Sequence, residues 1–413
     1  MKKLLTLVLA AVLALCAFTG CKNNNSGAND DAYAPDITVG LICLHDDLST
    51  YDSNFIDAFK QAGKDLGLKD SQLKIKTNIP EGNECLTAAE NLVSEGCDLI
   101  FADSFGHEDY MIEAAKKFPN VQFCHATGTQ AQSKGLANFH NAFASIYEGR
   151  YLAGVVAGLK LNEMIANGTK INGVVVTKDN AKMGYVGAFT YAEVISGYTS
   201  FYLGAKSVCP TVTMDVQFTG SWYHEIGEKT TANALINNGC VLISQHADSM
   251  GAPNACEEKS VPNVSYNGST AIACPNTFLV SSKINWAPYF RYIIMATANG
   301  GKIEDDYVGT LLSDSVQLTD LGTAVASGTA ETLEQVKQRL IAGTEKVFDT
   351  DKFTVEGKKV TELKISALND QNVIEKGQFC ESKFRSAPYF ELNIDGITLI
   401  NRIYDAKDSP FKD

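Results

Sequence analysis

The sequence has few basic residues and no cluster of them. The 35 Lys and Arg residues are outnumbered by 48 Asp and Glu residues, the formal net charge is −13, and no run of five basic residues occurs. A protein that binds nucleic acid needs a cationic surface that displaces counterions from the phosphates. The composition therefore excludes nucleic acid as a partner.

Sequence signatures of catalysis and metal binding are also missing. The 413 residues contain no G-x-S-x-G, P-loop, H-E-x-x-H, G-x-G-x-x-G or C-x-x-C motif, and no His/Cys pair has zinc spacing. Asp46-Asp47 and Glu108-Asp109 are adjacent acids that remain as candidates for acid–base chemistry, but such pairs on loops are usually just solvated. We expect a binding protein without enzymatic activity, metal or cofactor.

Long apolar runs are absent except at the very start of the chain. Lys2 and Lys3 precede an apolar stretch at residues 4–17, and Phe18-Thr19-Gly20-Cys21 follows it. This arrangement resembles a bacterial lipobox, which implies cleavage before Cys21 and lipidation of Cys21; an ordinary signal peptide is the alternative. Residues 1–20 are thus predicted to be a signal peptide. Residues 21–36, polar and aperiodic, are predicted to be the lipidated cysteine and a flexible tether to a membrane surface.

Cysteine is more plentiful, but its number does not suit a disulfide framework. Eleven cysteines, two of them at positions 16 and 21, leave nine in the mature body, and nine cannot all pair. Beside apolar strand-like runs a cysteine behaves as a small hydrophobic residue. One disulfide, between Cys256 and Cys274, stays open at this stage.

The body of the chain alternates strand-like and helix-like segments. In the first series, short β-branched runs at 36–43, 73–79, 98–102 and 121–125 are separated by helical spacing at 54–66, 84–94 and 107–118. In the second series, strands are predicted at 173–177, 185–187, 211–218, 240–244 and 261–266, with helices at 191–203 and 223–237. Beyond these series the pattern predicts helices at 287–298 and 332–341 and short β segments within 348–400.

Two series of βα units predict an α/β fold with two doubly wound parallel-sheet lobes. Residues 37–142 form lobe 1, which part of 275–310 completes. Residues 143–272 form lobe 2, which part of 311–413 completes. A strand and a long helix at 145–165 make the crossover between the lobes.

Ligands of open parallel sheets bind beyond the carboxyl ends of the strands, so the loops there predict the site. These loops are rich in aromatic and neutral polar side chains, which suit a planar heteroaromatic ligand with a polyol such as ribose. The candidate ligand-binding residues are Tyr51, Asn54, Phe55, Ser104, Phe105, His107, Phe189, Trp222, His246, Asp248, Asn267 and Trp286. Some have structural alternatives: Tyr51 and Phe55 as packing at a helix start, Trp222 as an outer helix cap, and His107 and His246 as plain loop residues.

Five segments, in order along the chain, carry a family resemblance. They are residues 103–110 (DSFGHEDY), Asn141 with 148–154 (EGRYLAG), 184–187 (GYVG), 244–248 (SQHAD) and 266–268 (YNG). Together they resemble the basic membrane protein family, lipid-anchored solute-binding proteins of ABC transporters. The resemblance runs from about residue 37 to 390 and implies a periplasmic-binding-protein type I fold. It also implies a purine nucleoside ligand, or riboflavin as in some relatives, an ABC permease as partner, and a place on the outer face of the bacterial cytoplasmic membrane; we expect a monomer.

The resemblance also implies roles for individual residues. It places residues 51–55 in a loop whose aromatic side chain stacks on the base, with Tyr51 and Phe55 as alternatives, and Asn267 where the family often has an aspartate for ribose. We predict that Tyr51 and Phe189 sandwich the ring. Hydrogen bonds to the ring or its sugar are predicted from Asn54, Ser104, Asp248 and Asn267. A sensor that presents its ligand to a receptor, and an adhesin or enzyme with the same fold, remain as alternatives.

Overall fold

The computed structural model describes residues 34–411, so the predicted signal peptide, Cys21 and most of the tether lie outside the described residues. The strands of the first half are β1 (Val39–Ile42), β2 (Leu73–Lys76), β3 (Leu99–Ala102), β4 (Gln122–Ala126) and β5 (Phe139–Ala144). Those of the second half are β6 (Lys170–Ile171), β7 (Val174–Val175), β8 (Lys182–Gly187), β9 (Thr213–Phe218), β10 (Leu242–His246), β11 (Asn263–Tyr266) and β12 (Phe278–Ile284). The remaining strands are β13 (Asp306–Gly309), β14 (Val316–Leu318), β15 (Lys364–Ile365), β16 (Gln371–Asn372), β17 (Ile374–Glu375), β18 (Gln378–Phe379) and β19 (Ile397–Leu399).

Ten α-helices cover these strands within the described part of the chain. They are α1 (Thr50–Asp65), α2 (Asn83–Ser94), α3 (Glu108–Lys117), α4 (Ala131–Lys134), α5 (Ile146–Asn167), α6 (Ala192–Val208), α7 (Glu225–Asn237), α8 (Gly251–Lys259), α9 (Ala287–Ala298) and α10 (Thr329–Ile341). None of the helices in residues 34–411 is both long and apolar enough to span a membrane.

Two main sheets confirm the predicted α/β fold with two doubly wound lobes. The sheet of the first lobe has the order β13-β5-β4-β3-β1-β2, and its strands are all parallel. The sheet of the second lobe has the order β14-β12-β11-β10-β8-β9-β19, with β14 as its one antiparallel strand. The orders β2-β1-β3-β4-β5 and β9-β8-β10-β11-β12 repeat one topology, so each of these five strands in one lobe has an equivalent in the other. Strands such as β1 and β3 are buried along their whole length, as expected for sheets with helices on both faces.

The chain passes between the lobes several times. Helix α5 leaves β5 of the first sheet and packs against β12 and α6 of the second lobe. Helix α9 packs on α1 of the first lobe, and β13 pairs with β5 there. The range 275–310 is therefore divided, because β12 belongs to the second sheet while α9 and β13 belong to the first lobe. From the last hundred residues, β14 and β19 join the second sheet.

Close helix packing around glycines explains why α5 and α6 show little amphipathic pattern. A Cβ atom at Gly154 of α5 would lie 2.0 Å from the carbonyl oxygen of Phe201 in α6. Likewise, a Cβ atom at Gly204 of α6 would lie 2.0 Å from the carbonyl oxygen of Tyr151 in α5. The two helices approach at backbone distance, so both are buried over most of their surface.

Some local predictions are corrected. The strand predicted at 173–177 is instead the small antiparallel pair β6–β7 outside both main sheets, where Val174 stays 60% exposed. Helix α8 was not predicted, since its sequence GAPNACEEK has a weak apolar pattern and contains a proline. Of the short β segments between 348 and 400, β19 alone joins a main sheet.

The suggested disulfide is also corrected. All nine cysteines of the described chain are free thiols. The Cys256 and Cys274 sulfurs lie on either side of Asn263, whose amide nitrogen is 3.7 Å from Cys256 Sγ and whose amide oxygen is 3.9 Å from Cys274 Sγ. The two cysteines therefore pack around a buried side chain, and eight of the nine are themselves buried as small hydrophobic residues.

Candidate ligand-binding site

A cavity with about 380 Å³ of empty space, including the part open to solvent, lies where the carboxyl ends of the strands of the two sheets face each other. Its lining residues all follow strand ends or begin the next helix, as the topology of open parallel sheets requires. They are Leu44, His45, Tyr51, Asp52, Ser104, Phe105, Thr127, Glu193, Trp222, His246, Asp248, Tyr266 and Asn267. We call this the first cavity.

Aromatic rings from both lobes form much of the wall. Tyr51, in the first turn of α1, donates its hydroxyl to the carbonyl oxygen of Asp103 at 2.7 Å, which fixes its ring. Phe105 remains 42% exposed and lies 5.6 Å from Tyr191 of the other lobe, centroid to centroid. Trp222 and Tyr266 add rings from the second lobe. The cavity therefore offers flat apolar faces on both sides.

A buried acid–amide pair lies on the second-lobe side of the cavity. The Asn267 side chain donates to Asp248 Oδ1 at 3.1 Å, and both residues are almost fully buried. Burial, with Asp52 and Glu228 nearby, holds the pKa of Asp248 well above its ordinary value. A carboxyl that keeps its proton both donates and accepts hydrogen bonds.

Asp52 behaves differently from Asp248. Burial alone would raise its pKa, but hydrogen bonds from His45 and Ser49 outweigh burial and hold the pKa below the ordinary value. The backbone N–H of His45 donates to Oδ1 at 2.8 Å and the Ser49 hydroxyl to Oδ2 at 2.6 Å. Asp52 is therefore the ionised acceptor of the site.

A buried arginine supports the floor of the cavity from behind. Arg150 of α5 donates to the Tyr185 hydroxyl at 3.0 Å and lies 5.2 Å from the Tyr266 ring centroid. Tyr266 in turn contacts His246, with centroids 4.3 Å apart. Burial lowers the pKa of His246 although Glu193 lies 3.5 Å away and raises it, so the imidazole is neutral at pH 7.

The two lobes touch directly around the cavity, so the structure is a closed form. The backbone N–H of Thr50 in the first lobe donates to the carbonyl oxygen of Asp248 in the second at 3.1 Å. The rings of His45 and Tyr223 lie 5.5 Å apart across the same gap.

Seven of the twelve predicted residues line the first cavity: Tyr51, Ser104, Phe105, Trp222, His246, Asp248 and Asn267. The other five lie elsewhere. Phe55 and Trp286 stack on each other at 4.5 Å inside the first lobe, because Phe55 is one helical turn beyond Tyr51 and α9 packs on α1. The side chain of Asn54 donates to the carbonyl oxygen of Ile284 at 2.6 Å.

The remaining two are displaced by local contacts. His107 is buried, and its Nε2 is 2.9 Å from the carbonyl oxygen of Ile79. Phe189 lies behind the wall, stacked on Tyr191 at 5.0 Å and edge-on to Trp222 at 5.2 Å. Of the predicted sandwich, Tyr51 lines the first cavity, whereas Phe189 does not line it and packs against Trp222.

Sequence reasoning missed six lining residues: Leu44, His45, Asp52, Thr127, Glu193 and Tyr266. Leu44, His45 and Tyr266 lie at or just after strand ends, whereas Asp52 and Glu193 lie in the first turns of α1 and α6. The left-handed backbone of Thr127 carries no signal in the composition, so nothing in the sequence distinguished it from its neighbours.

Cys43, Asp52 and Asp103 bring three possible metal-ligand atoms within 4.8 Å of one another. Burial raises the pKa of the Cys43 thiol and of the Asp103 carboxyl well above their ordinary values, so both keep their protons. A divalent cation would have to displace these protons. The donor set therefore fits shared protons better than an ion.

The fold and the position of the cavity define a periplasmic-binding-protein type I protein. An ABC transporter solute-binding protein from Aeropyrum pernix K1 superposes with a TM-score of 0.61 at 16% identity, covering 75% of this chain and 92% of that one. A solute-binding protein from Conexibacter woesei DSM 14684 gives 0.59 at 18% identity, covering 75% and 98%. The model of the Bmp family, PnrA-like ABC transporter substrate-binding proteins, matches residues 44–347. The chain belongs to this family.

Curated relatives carry several ligand names. A purine-binding protein of Brucella abortus (strain 2308) is 32% identical over 213 residues, 52% of this chain and 55% of that one. A putative ABC transporter glucose-binding protein of Haloferax volcanii is 28% identical over 254 residues, 62% and 58%. The nucleoside-binding protein BmpA of Lactococcus lactis subsp. cremoris is 24% identical over 265 residues, 63% and 70%. The match thus spans little more than half the length of the first two relatives.

Proposed function

We propose that the protein captures a purine nucleoside between its two lobes and delivers it unaltered to the permease of an ABC importer. The observation that carries this proposal is the first cavity, in which rings of both lobes flank a buried acid–amide pair. Stacking on an aromatic side chain contributes about 1–3 kcal/mol per base. Tyr51, Phe105 and Trp222 are placed to supply that stacking.

The polar groups suit the edge of a purine. Asp248 with its proton offers a donor beside an acceptor, and Asn267 offers the same pair. Ionised Asp52 accepts from an N–H of the ligand. A ring edge with alternating donors and acceptors can add hydrogen bonds to those that these three groups already make, whereas an apolar ring can add none.

Lobe closure follows from the same contacts. The bond from Thr50 to Asp248 and the contact of His45 with Tyr223 join the lobes beside the ligand. A ligand held by residues of both lobes binds the closed form more tightly than the open one, and this difference in affinity shifts the hinge towards closure. The protein performs no chemistry in this scheme, so we expect no turnover in nucleoside phosphorolysis or hydrolysis assays.

We further propose that the mature protein is a monomer anchored by lipid at Cys21 to the outer face of the bacterial cytoplasmic membrane. The support is the lipobox-like sequence and the polar tether that follows it. Replacement of Cys21 by Ser should abolish incorporation of labelled palmitate and release the protein from the membrane fraction. Labelling of the Cys21→Ser variant at the wild-type level would refute the anchor.

The ligand class is tested by isothermal titration with guanosine, adenosine and inosine. Trp222→Ala should weaken binding, and the matched variant Trp286→Phe, altered inside the first lobe, should not. Flat traces for all three purines would reject the proposal.

A hexose is the second candidate, because one relative is named as glucose-binding. Titrations with glucose and riboflavin test these alternatives directly. A sensor role is separated from transport by the genes beside this one: a permease and an ATPase favour import, and a receptor kinase favours sensing.

A further inference from the structure

A second cavity, with about 710 Å³ of empty space including the part open to solvent, adjoins the first. The two share four lining residues: Phe105, Thr127, Glu193 and Trp222. Part of its wall comes from the C-terminal segment, through Arg385, Ala387, Pro388, Glu391 and Tyr404. These five residues lie beyond residue 347, where the family match ends. The wall they form is therefore a feature of this chain that the family model does not describe.

The C-terminal segment is fixed to both lobes. The backbone N–H of Ser386 donates to Asp306 Oδ2 of β13 at 2.7 Å, in the first lobe. In the second lobe, the N–H of Thr190 donates to the carbonyl oxygen of Ile403 at 2.7 Å, and the N–H of Ile403 donates to the Thr190 hydroxyl at 2.9 Å. These bonds hold the wall of the second cavity at a defined distance from the first.

Thr127 lies at the junction of the two cavities and has an unused hydroxyl. Thr127 is 3% exposed, and its Oγ1 has no hydrogen-bond partner among residues 34–411. Its φ of 64° is rare for a β-branched residue, and such strain costs about 1–3 kcal/mol. A buried hydroxyl without a protein partner that lines a cavity can hydrogen-bond a ligand or a water molecule there.

Asn267 is the counterpart of Thr127 in the other lobe. Each follows directly on an equivalent strand, β4 or β11, and Asn267 has a φ of 66°. The amide of Asn267 already donates to Asp248, whereas the Thr127 hydroxyl is free. The hydroxyl without a protein partner therefore belongs to Thr127, which lines the second cavity as well as the first.

The charges of the second cavity disfavour an anionic occupant. Among its described lining residues, Arg385 is the one base, against the acids Glu193 and Glu391. The guanidinium of Arg385 already donates to the carbonyl oxygens of Ala387 at 3.1 Å and Pro388 at 2.9 Å. The other polar groups of the wall are mainly hydroxyls, which suit an uncharged polyol.

We propose that the second cavity is a subsite for the uncharged, hydroxyl-bearing part of the ligand, and that Thr127 hydrogen-bonds this part where it joins the ring. The inference rests on the proposed function, since it takes the ring in the first cavity to be the purine. It places the sugar against the C-terminal segment.

The test compares bases with nucleosides. Thr129→Trp and Ala192→Trp fill the second cavity from different sides, Thr127→Val removes the hydroxyl at nearly constant volume, and Thr87→Trp on α2 is a control that lines neither cavity. Each folded variant is titrated by calorimetry with adenine, guanine, adenosine and guanosine.

We expect the filled variants to bind the nucleosides at least tenfold more weakly while their affinity for the bases changes less than twofold. Thr127→Val should lose about fivefold in nucleoside affinity, and Thr87→Trp should match the wild type. Unchanged nucleoside affinity in both filled variants, or equal losses for bases and nucleosides, would overturn the subsite and leave the proposed function intact. If the wild type binds neither bases nor nucleosides, the proposed function fails and the subsite falls with it.

Discussion

Glu228 provides a test of the electrostatics beneath the binding loops. This carboxylate in α7 accepts from the backbone N–H of His224 at 3.1 Å and from that of Ser249 at 3.2 Å, so it joins the loop after β9 to the loop after β10. Burial raises its pKa from the ordinary 4.5 to about 7, and the nearby acid Glu225 acts in the same direction. The charge of Glu228 in turn contributes to raising the pKa of Asp248.

The effect of Glu228 on the free energy of unfolding follows from the difference between its folded and unfolded pKa. Because the folded pKa lies above the unfolded one, the protein loses stability as the pH rises from about 4.5 to about 7, by about 3 kcal/mol from this group. Glu228→Gln removes the charge at every pH and retains one oxygen acceptor, at a cost of about 1 kcal/mol for the weakened second bond. The net expectation is a gain of about 2 kcal/mol in the free energy of unfolding at pH 8 and a small loss at pH 4.5.

Urea denaturation of both proteins at the two pH values measures this difference. Glu113→Gln, on the exposed face of α3, is the matched control and should change the free energy of unfolding by less than about 0.5 kcal/mol at either pH. A Glu228→Gln variant that is less stable than the wild type at pH 8, or whose difference does not vary with pH, would refute the reasoning.

Further predictions address packing, recognition and redox state. Gly154→Ala should cost at least about 2 kcal/mol in urea denaturation, because its Cβ would lie 2.0 Å from a backbone oxygen of α6, whereas Gly301→Ala, with 3.4 Å to its nearest neighbour, should be almost neutral; equal losses would contradict this account of the helix packing. Trp222→Ala should weaken nucleoside binding about tenfold or more by calorimetry, and an unchanged affinity would remove Trp222 from the site. Adenosine 5′-monophosphate should bind at least about tenfold more weakly than adenosine, since Glu193 and Glu391 repel its phosphate; equal affinity would contradict this assignment of charge. Dithiothreitol should shift the melting temperature by less than about 1 °C, because the described cysteines are free thiols, and a larger fall would reveal a disulfide.

The fold could be predicted from the sequence because its signals are periodic and local. Short apolar runs alternating with helical spacing identify parallel sheets, and the topology of such sheets fixes the edge at which ligands bind. For this reason the sequence alone identifies the loops that hold Tyr51, Trp222 and Asn267. The pair β6–β7 was mistaken for a core strand because β-branched composition does not reveal whether a sheet is near enough to pair with it.

Individual side chains were harder to place, because a loop contains several residues of suitable chemistry. Tyr51 and Phe55 are one helical turn apart, yet Tyr51 lines the first cavity and Phe55 stacks on Trp286. The packing of α9 on α1 decides between them, and this is a contact over more than 200 residues of sequence. The sequence does not predict that Thr127 lines both cavities, because its position depends on a left-handed backbone angle and on a wall formed by distant C-terminal residues.

The account depends on a flat solute held by residues of both lobes and released unchanged. A crystal structure of the protein with its best-binding purine nucleoside tests this most directly. The account predicts the intact ligand between the lobes, with its ring against Trp222 and Tyr51 and its edge at Asp248. A ligand bound to one lobe alone, on an outer surface, or in hydrolysed form would contradict it.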